Sequence, residues 1–434
     1  MHLARIMLIL MSLAVTACGG NAKLPVSAGT GPEPELPEPQ KALIPLVNIA
    51  RIERWEAGAT PVAADGLVVN AFAKGLDHPR WLYVLPNGDV LVAETNAQEK
   101  KPKGITGRVE KMVMKRAGAG VASADRISLL RDTDGDGIAE TRFVFLSDLT
   151  SPFGMTLIGS RLFVANTDGV VSFPYRDGET EITSAGMPLV SLPAGDNNRH
   201  WTKNLVASGD GKFLYASIGS NSDHAENGIE EETGRAAIWQ IDAATGEHRV
   251  YASGLRNPVG MAFEPSTGML WTSVNERDDL GGDLVPDYMT SVVDGGFYGW
   301  PYSYYGDHLD PRIKEQRPDL VATALKPDYA LGPHTASLGL TFAEGQQLGP
   351  DWSDGAFIGQ HGSWNRKPRS GYRVIFVPFE NGKPAGAPVD VLTGFLDEDG
   401  NAQGRPVGVI FDKTGALLVA DDAGNTIWRV TRAK

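Results

Sequence analysis

The chain has a single cysteine, Cys18, in 434 residues. That excludes an intrachain disulfide, a Cys-based zinc cage and a CxxCH haem attachment. Beyond the first 17 residues it also lacks any apolar run long enough to cross a bilayer as a helix. Positive charge is short as well: 40 Lys and Arg face 53 Asp and Glu, a formal net charge of −13. Such a surface repels nucleic acid and anionic headgroups in general, but it leaves room for a local cationic pocket. Against these shortages stand 51 glycines and 28 prolines, which favour short strands and turns over long helices.

The start of the chain reads as a processing signal. Met1–Arg5 is short and basic, and Ile6 to Ala17 is apolar. The run ends in Val15-Thr16-Ala17-Cys18, the pattern of a bacterial lipobox cut before a lipidated cysteine. We therefore expect residues 1–17 to be a lipoprotein signal peptide and Cys18 the lipidation site. Residue 19 is Gly rather than Asp, which favours a periplasmic protein held to the outer membrane, with the lipid as its only membrane contact. Residues 18–45, rich in Pro, Gly and Glu, read as a semi-extended tether, and 46–434 as one folded domain.

Within that domain one pattern recurs. "GLRNPVGMAF", 254–263, places an anchor at Pro258, a small residue two later, then a strand, a turn and a second strand. The same arrangement begins at Pro79, Pro152, Thr202, Ser337 and Pro406. Six such units, 50 to 79 residues apart, predict an all-β, six-bladed propeller. Only 28 residues follow Pro406, so the strand in "GLVVNAFAKGL", 66–76, is expected to join the last blade and close the ring. The innermost strand of each blade starts at the central channel, so the residues just before each anchor should converge on one mouth. They include His78, His200, Trp201, Arg256, Asn257 and Arg405, a cationic set suited to a flat anion.

"GLRNPVGMAF", "SVNERDDLGGDLVPDY", "GGFYGWPYSYYG" and "GQHGSWNR" together resemble the pyrroloquinoline-quinone (PQQ) sugar dehydrogenases of the soluble glucose/sorbosone dehydrogenase family, the sorbosone-like branch above all. The resemblance runs from about residue 68 to 432. It implies a six-bladed propeller with PQQ and Ca²⁺ at the channel mouth, oxidising a sugar hemiacetal or an aldehyde. It implies His200 as general base and Arg256 on the quinone oxygen. Asn257, Trp364, Arg366 and Arg405 would hold the cofactor, and the main-chain carbonyls of Glu276 and Arg277 the Ca²⁺. Three positions depart from the pattern: Val407 replaces a second arginine, Glu276-Arg277 replaces Gly-Pro, and Arg199 stands where glucose-oxidising members have a carboxylate. With no haem motif, electrons would pass to a separate quinone or cytochrome.

Independently, "RDTDGDGIAE" spaces Asp132, Asp134, Asp136 and Glu140 as a short oxygen cage for a structural Ca²⁺. It is no EF-hand, because position twelve is Phe143. Two other readings of the propeller stand beside the dehydrogenase: a Ca²⁺-dependent lactonase, and a ligand-binding propeller without catalysis.

Overall fold

The structure, a computed structural model, describes residues 21–40, 47–98 and 120–433. The expected signal peptide and Cys18 lie outside these residues.

Six antiparallel sheets surround a central channel. Four strands make up each of the first three blades, opening with Pro79–Val84, Met155–Ile158 and Leu205–Ala207. The fourth blade opens with Pro258–Phe263, the fifth with Ser337–Phe342 and the sixth with Pro406–Phe411. Four strand starts coincide with the anchors read from the sequence; in blades two and three the strand begins three residues later. The sixth blade is completed by Leu67–Lys74, which pairs antiparallel with Thr426–Arg432. The ring thus closes through an N-terminal strand, and the sixth blade keeps no three-stranded, open edge there.

Burial follows from this arrangement. A blade has two faces, and each must meet a neighbour. Six apolar clusters result among the described residues, one per blade–blade interface. Between blades five and six, for example, Phe357, Phe376 and Val374 meet Leu417, Val419 and Trp428. All six opening strands also line a channel cavity of about 280 Å³, whose wall carries no charged side chain.

After four of the six anchors the residue two positions later is glycine, for a reason now visible; Trp81 and Asn204 hold that place in the first and third blades. A Cβ on Gly154 would come within 2.2 Å of the Leu205 backbone nitrogen, and one on Gly260 within 2.5 Å of the Leu338 carbonyl oxygen. At Gly339 the clash would be 2.2 Å with the Val407 carbonyl oxygen, and at Gly408 2.8 Å with that of Arg80. Each glycine therefore lets one opening strand lie directly on the next blade's opening strand.

One expectation is corrected. Residues 21–40 are not a free tether. Thr30–Gly31 adds a strand to the fourth blade beside Tyr329–Pro333. The Gln40 N–H donates to the Leu280 carbonyl, and Lys326 pairs with Glu33 at 2.6 Å. Proline-rich composition removes donors, but it leaves carbonyls and extended φ/ψ that suit an edge strand.

Replacing Gly339 by Val should cost about 1–3 kcal/mol or more, because the clash is with backbone rather than with a movable side chain. Thermal unfolding would show it as a lowered Tm. Gly209→Ala, at a glycine with nothing within 4 Å of where the added methyl would sit, should leave Tm unchanged.

Candidate active site

The mouth is the end of the channel where the opening strands begin. His200 lies there, half-buried, two residues ahead of the Thr202 anchor. Behind it the fully buried Lys203 donates to the His200 and Trp201 carbonyls at 3.3 and 3.4 Å. His200 Nδ1 is 2.9 Å from both the Ser220 carbonyl oxygen and Ser220 Oγ. A carbonyl only accepts, so Nδ1 carries the proton and Nε2 is left with the lone pair. Burial, reinforced by the Arg256 and Arg199 charges, lowers the imidazole pKa well below its ordinary value. A neutral ring with a defined tautomer is a competent proton acceptor at pH 7. Gly219 makes room for it: a Cβ there would lie 2.4 Å from both His200 Cβ and Asn257 Oδ1.

Arg256 is buried and heavily engaged. Its Nε donates to the Asp223 carbonyl at 3.1 Å, and Nη2 to Asp223 Oδ1 at 2.6 Å. Nη1 donates to the carbonyls of Asn275 (3.1 Å) and Glu276 (2.6 Å). Asp223 in turn accepts from Arg312 at 3.1 Å and from the Asp278 N–H at 3.0 Å. Burial works against ionisation of Asp223, yet Arg256, His224, Arg312 and Arg199 hold its carboxyl well below the usual range. Arg199 reaches Asp278 at 3.4 Å from the rim. The result is a rigid, charge-compensated shelf beside His200.

This shelf corrects the expected Ca²⁺ loop. The Glu276 carbonyl already accepts a 2.6 Å hydrogen bond from the Arg256 guanidinium, which occupies the place beside it that a cation would take. The Glu276 and Arg277 side chains also point into protein. Arg277 bonds Glu276, Asp310 and the carbonyls of Pro301 and Ser303, all buried. In this arrangement the Glu276 carbonyl does not fit the expected Ca²⁺ site.

Across the mouth lies a second cluster. Asp422 accepts from Arg80 Nη1 at 2.5 Å and sits 2.9 Å from His361 Nε2 and 3.4 Å from His78 Nε2. Burial opposes its ionisation, but the two histidines and Arg80 keep it a carboxylate. Burial also lowers His78 to about 4 and lowers His361, so both rings are neutral at pH 7. At that pH the compensating charge is the one on Arg80. Its guanidinium lies over Trp201, 5.6 Å from the ring centre. Arg405 is close enough for its charge to be felt by Arg80 and His361, and its guanidinium lies over Tyr372. Sequence reasoning misses Arg80 and Asp422. The available signals are a lone charge within the apolar strand "PRWLYV" and a second acid after "LLVAD".

Two expected cofactor ligands lie elsewhere. Arg366 is buried behind the mouth loop, donating to the carbonyls of Gly282 (2.8 Å), Pro368 (3.0 Å) and Leu24 (2.8 Å). It clamps the N-terminal segment rather than an incoming carboxylate, because Leu24 and Asp283 fill its reach. Trp364 stands on the outer rim, 38% exposed, and Trp201 occupies the inner aromatic position. Asp132, Asp134, Asp136 and Glu140 do come together, with ligand oxygens within 4.8 Å, on an exposed hairpin of the first blade. N–H groups of Thr133, Gly135 and Gly137 already satisfy Asp132 and Glu140.

The mouth does fit a flat anionic cofactor such as PQQ. Buried Arg80 Nε and Asn257 Oδ1 have no hydrogen-bond partner among the described residues. An orphan donor and an orphan acceptor suit a group with both carboxylates and a ring N–H.

A family model described as TrAA12-like matches residues 61–287 and 311–433. An uncharacterized protein of Borreliella burgdorferi is 26% identical over 359 residues, 80% of this chain and 90% of that protein. A pyrroloquinoline quinone-dependent pyranose dehydrogenase of Coprinopsis cinerea is 25% identical over 432 residues, 85% of this chain and 54% of that protein. The chain thus spans about half the length of that relative. The holo PQQ domain of a Coprinopsis cinerea pyranose dehydrogenase superposes with a TM-score of 0.70 at 21% identity, covering 88% of this chain and all of that one. That likeness carries the fold alone. The resemblance to PQQ-dependent sugar dehydrogenases is borne out, and the chain belongs to the TrAA12-like family.

Proposed function

We propose that the protein is a PQQ-dependent sugar oxidoreductase that oxidises an aldose hemiacetal or an aldehyde, glucose- or sorbosone-like. The observation that carries this reading is His200: a neutral imidazole at a cationic mouth, its tautomer set by Ser220. PQQ, when bound, supplies the two-electron acceptor for the substrate's hydride. His200 Nε2 takes the hydroxyl proton of the sugar as the C–H bond breaks. Arg80, through its unpartnered Nε, and Arg405 would hold the cofactor's carboxylates, with Trp201 as the flat surface beneath Arg80. Asn257 Oδ1, without a partner among the described residues, would offer the cofactor an acceptor. Arg256, held rigid by Asp223, would present a preorganised guanidinium donor to the cofactor at the shelf. Its guanidinium already sits on the Glu276 carbonyl, so this reading calls for no divalent cation there. The acids at the mouth argue against a lactonase, since Asp223, Asp278 and Asp422 are each tied to Arg or His and offer no open metal cage. The electron acceptor is a separate quinone or cytochrome.

His200→Ala should lower kcat about 10²-fold or more while PQQ binding changes only slightly. Full activity in this variant overturns the mechanism. Arg199→Gln removes a charge that lowers the His200 pKa. The His200 pKa then rises, so the acidic limb of the kcat/KM profile moves to higher pH, having started below about pH 6.5.

Titration of the apo-protein with PQQ, followed by quinone absorbance, tests the cationic ring. Arg80→Met and Arg405→Met should each weaken binding about tenfold or more, as expected for a lost charge-assisted pair. Chelator should leave the affinity of the wild type nearly unchanged. Strict dependence on Ca²⁺ would contradict the role given to Arg256, and absence of PQQ binding to the folded protein would favour the non-catalytic propeller.

A further inference from the structure

We propose that the mouth of the channel docks on an anionic lipid surface through a rim patch of Trp364, Val47 and Pro368 flanked by Lys23 and Lys367. This goes beyond the redox reading, does not rest on it, and replaces the expectation that the lipid is the chain's only membrane contact.

Backbone bonds assemble the patch. Asn21 forms a parallel bridge with Lys367, and the Ala22 N–H donates to the Lys367 carbonyl at 2.9 Å. The Lys23 N–H donates to Asp283 at 2.7 Å, and Arg366 Nη2 to the Leu24 carbonyl at 2.8 Å. On the other flank, the Asn48 N–H donates to the Trp364 carbonyl at 2.7 Å, and its side-chain amide to that of Arg366 at 2.7 Å. Two separate N-terminal stretches are thus fixed to one loop, and the loop begins at His361 in the mouth. All five patch residues are exposed.

This edge brings cationic and apolar side chains together. In a chain of net charge −13, two lysines stand beside an exposed tryptophan, a valine and a proline. Tryptophan flanked by lysines suits the boundary between headgroups and acyl chains, with the ammonium groups on phosphate. Arg369, which donates to the carbonyls of Asn48 and Ile49, stands between the patch and the acidic 397–399 turn, its guanidinium against Gly400. The preceding chain points the same way. Cys18, the expected lipidation site, is three residues before Asn21. An extended chain spans about 3.5 Å per residue, so an acyl group there is attached within roughly 11 Å of the Lys367 bridge. A bilayer so tethered meets the mouth, not the far end of the channel.

The full chain from residue 18 with Cys18→Ser tests the patch without its lipid. Co-sedimentation with vesicles of phosphatidylethanolamine and phosphatidylglycerol should show salt-sensitive binding. Lys23→Gln with Lys367→Gln should reduce the bound fraction about tenfold, with thermal unfolding unchanged. Brominated lipid should quench tryptophan fluorescence of the lipidated chain, and Trp364→Phe should remove most of that quenching. Equal sedimentation of the lysine variant, or quenching unaltered by Trp364→Phe, overturns the proposal. Neither arm needs bound PQQ or turnover, so failure of the redox reading shows separately, as absent sugar oxidation by protein that still binds vesicles.

Discussion

The mouth depends on a contact that involves no side chain: the backbone-to-backbone approach of consecutive opening strands around the channel. Gly154, Gly260, Gly339 and Gly408 permit it. Because the strands touch, the residues just ahead of them are brought within the span of one small molecule. Larger residues at these four positions would widen the ring and move His200, Arg256, Arg80 and Arg405 apart together. Side-chain packing between blades then locks the spacing that the glycines set.

Electrostatics at the mouth follow a consistent division of labour. Arg256 is neutralised by Asp223, Arg277 by Glu276 and Asp310, and Arg366 by Asp283. These pairs are buried, so they fix loops rather than add much net stability. Breaking one would leave an uncompensated charge in protein. His200, by contrast, gives its hydrogen bond to no acid. Its Nδ1 faces a neutral carbonyl, and the strongest nearby charges are positive. This keeps the imidazole unprotonated, the condition a base needs, without the orienting carboxylate used in many catalytic histidines. His361 carries such a carboxylate in Asp422, but its Nε2 is bound to it.

Much of this is legible in the sequence. The propeller shows itself because each blade repeats an anchor and two strands, with a glycine after the anchor in four of them, and because the last blade lacks a strand that residues 66–76 can supply. His200, Arg256, Asn257 and Arg405 are legible for the same reason: their positions are set by backbone periodicity. What periodicity does not give is the direction of a long side chain. Arg366 lies in a loop whose sequence suits the mouth, yet its guanidinium turns away to Leu24, near the other end of the chain. Asp223 lies in a stretch that reads only as a surface loop, and its burial comes from partners far along the chain. The docking of residues 21–40 is hidden because a proline-rich strand carries no alternation to reveal what it covers.

The closing strand Leu67–Lys74 is among the first parts of the propeller to be synthesised, and its partner Thr426–Arg432 is the last. Between them nearly the whole domain must be made and arranged. Until then the first and sixth blades each keep an uncovered face, and the outer edge of the sixth stays unpaired. Assembly of this ring is therefore governed by its most distant pairing, which makes folding slow and its end point all-or-none. A chain that stops before that 7-residue strand is not a slightly shorter propeller but an open one.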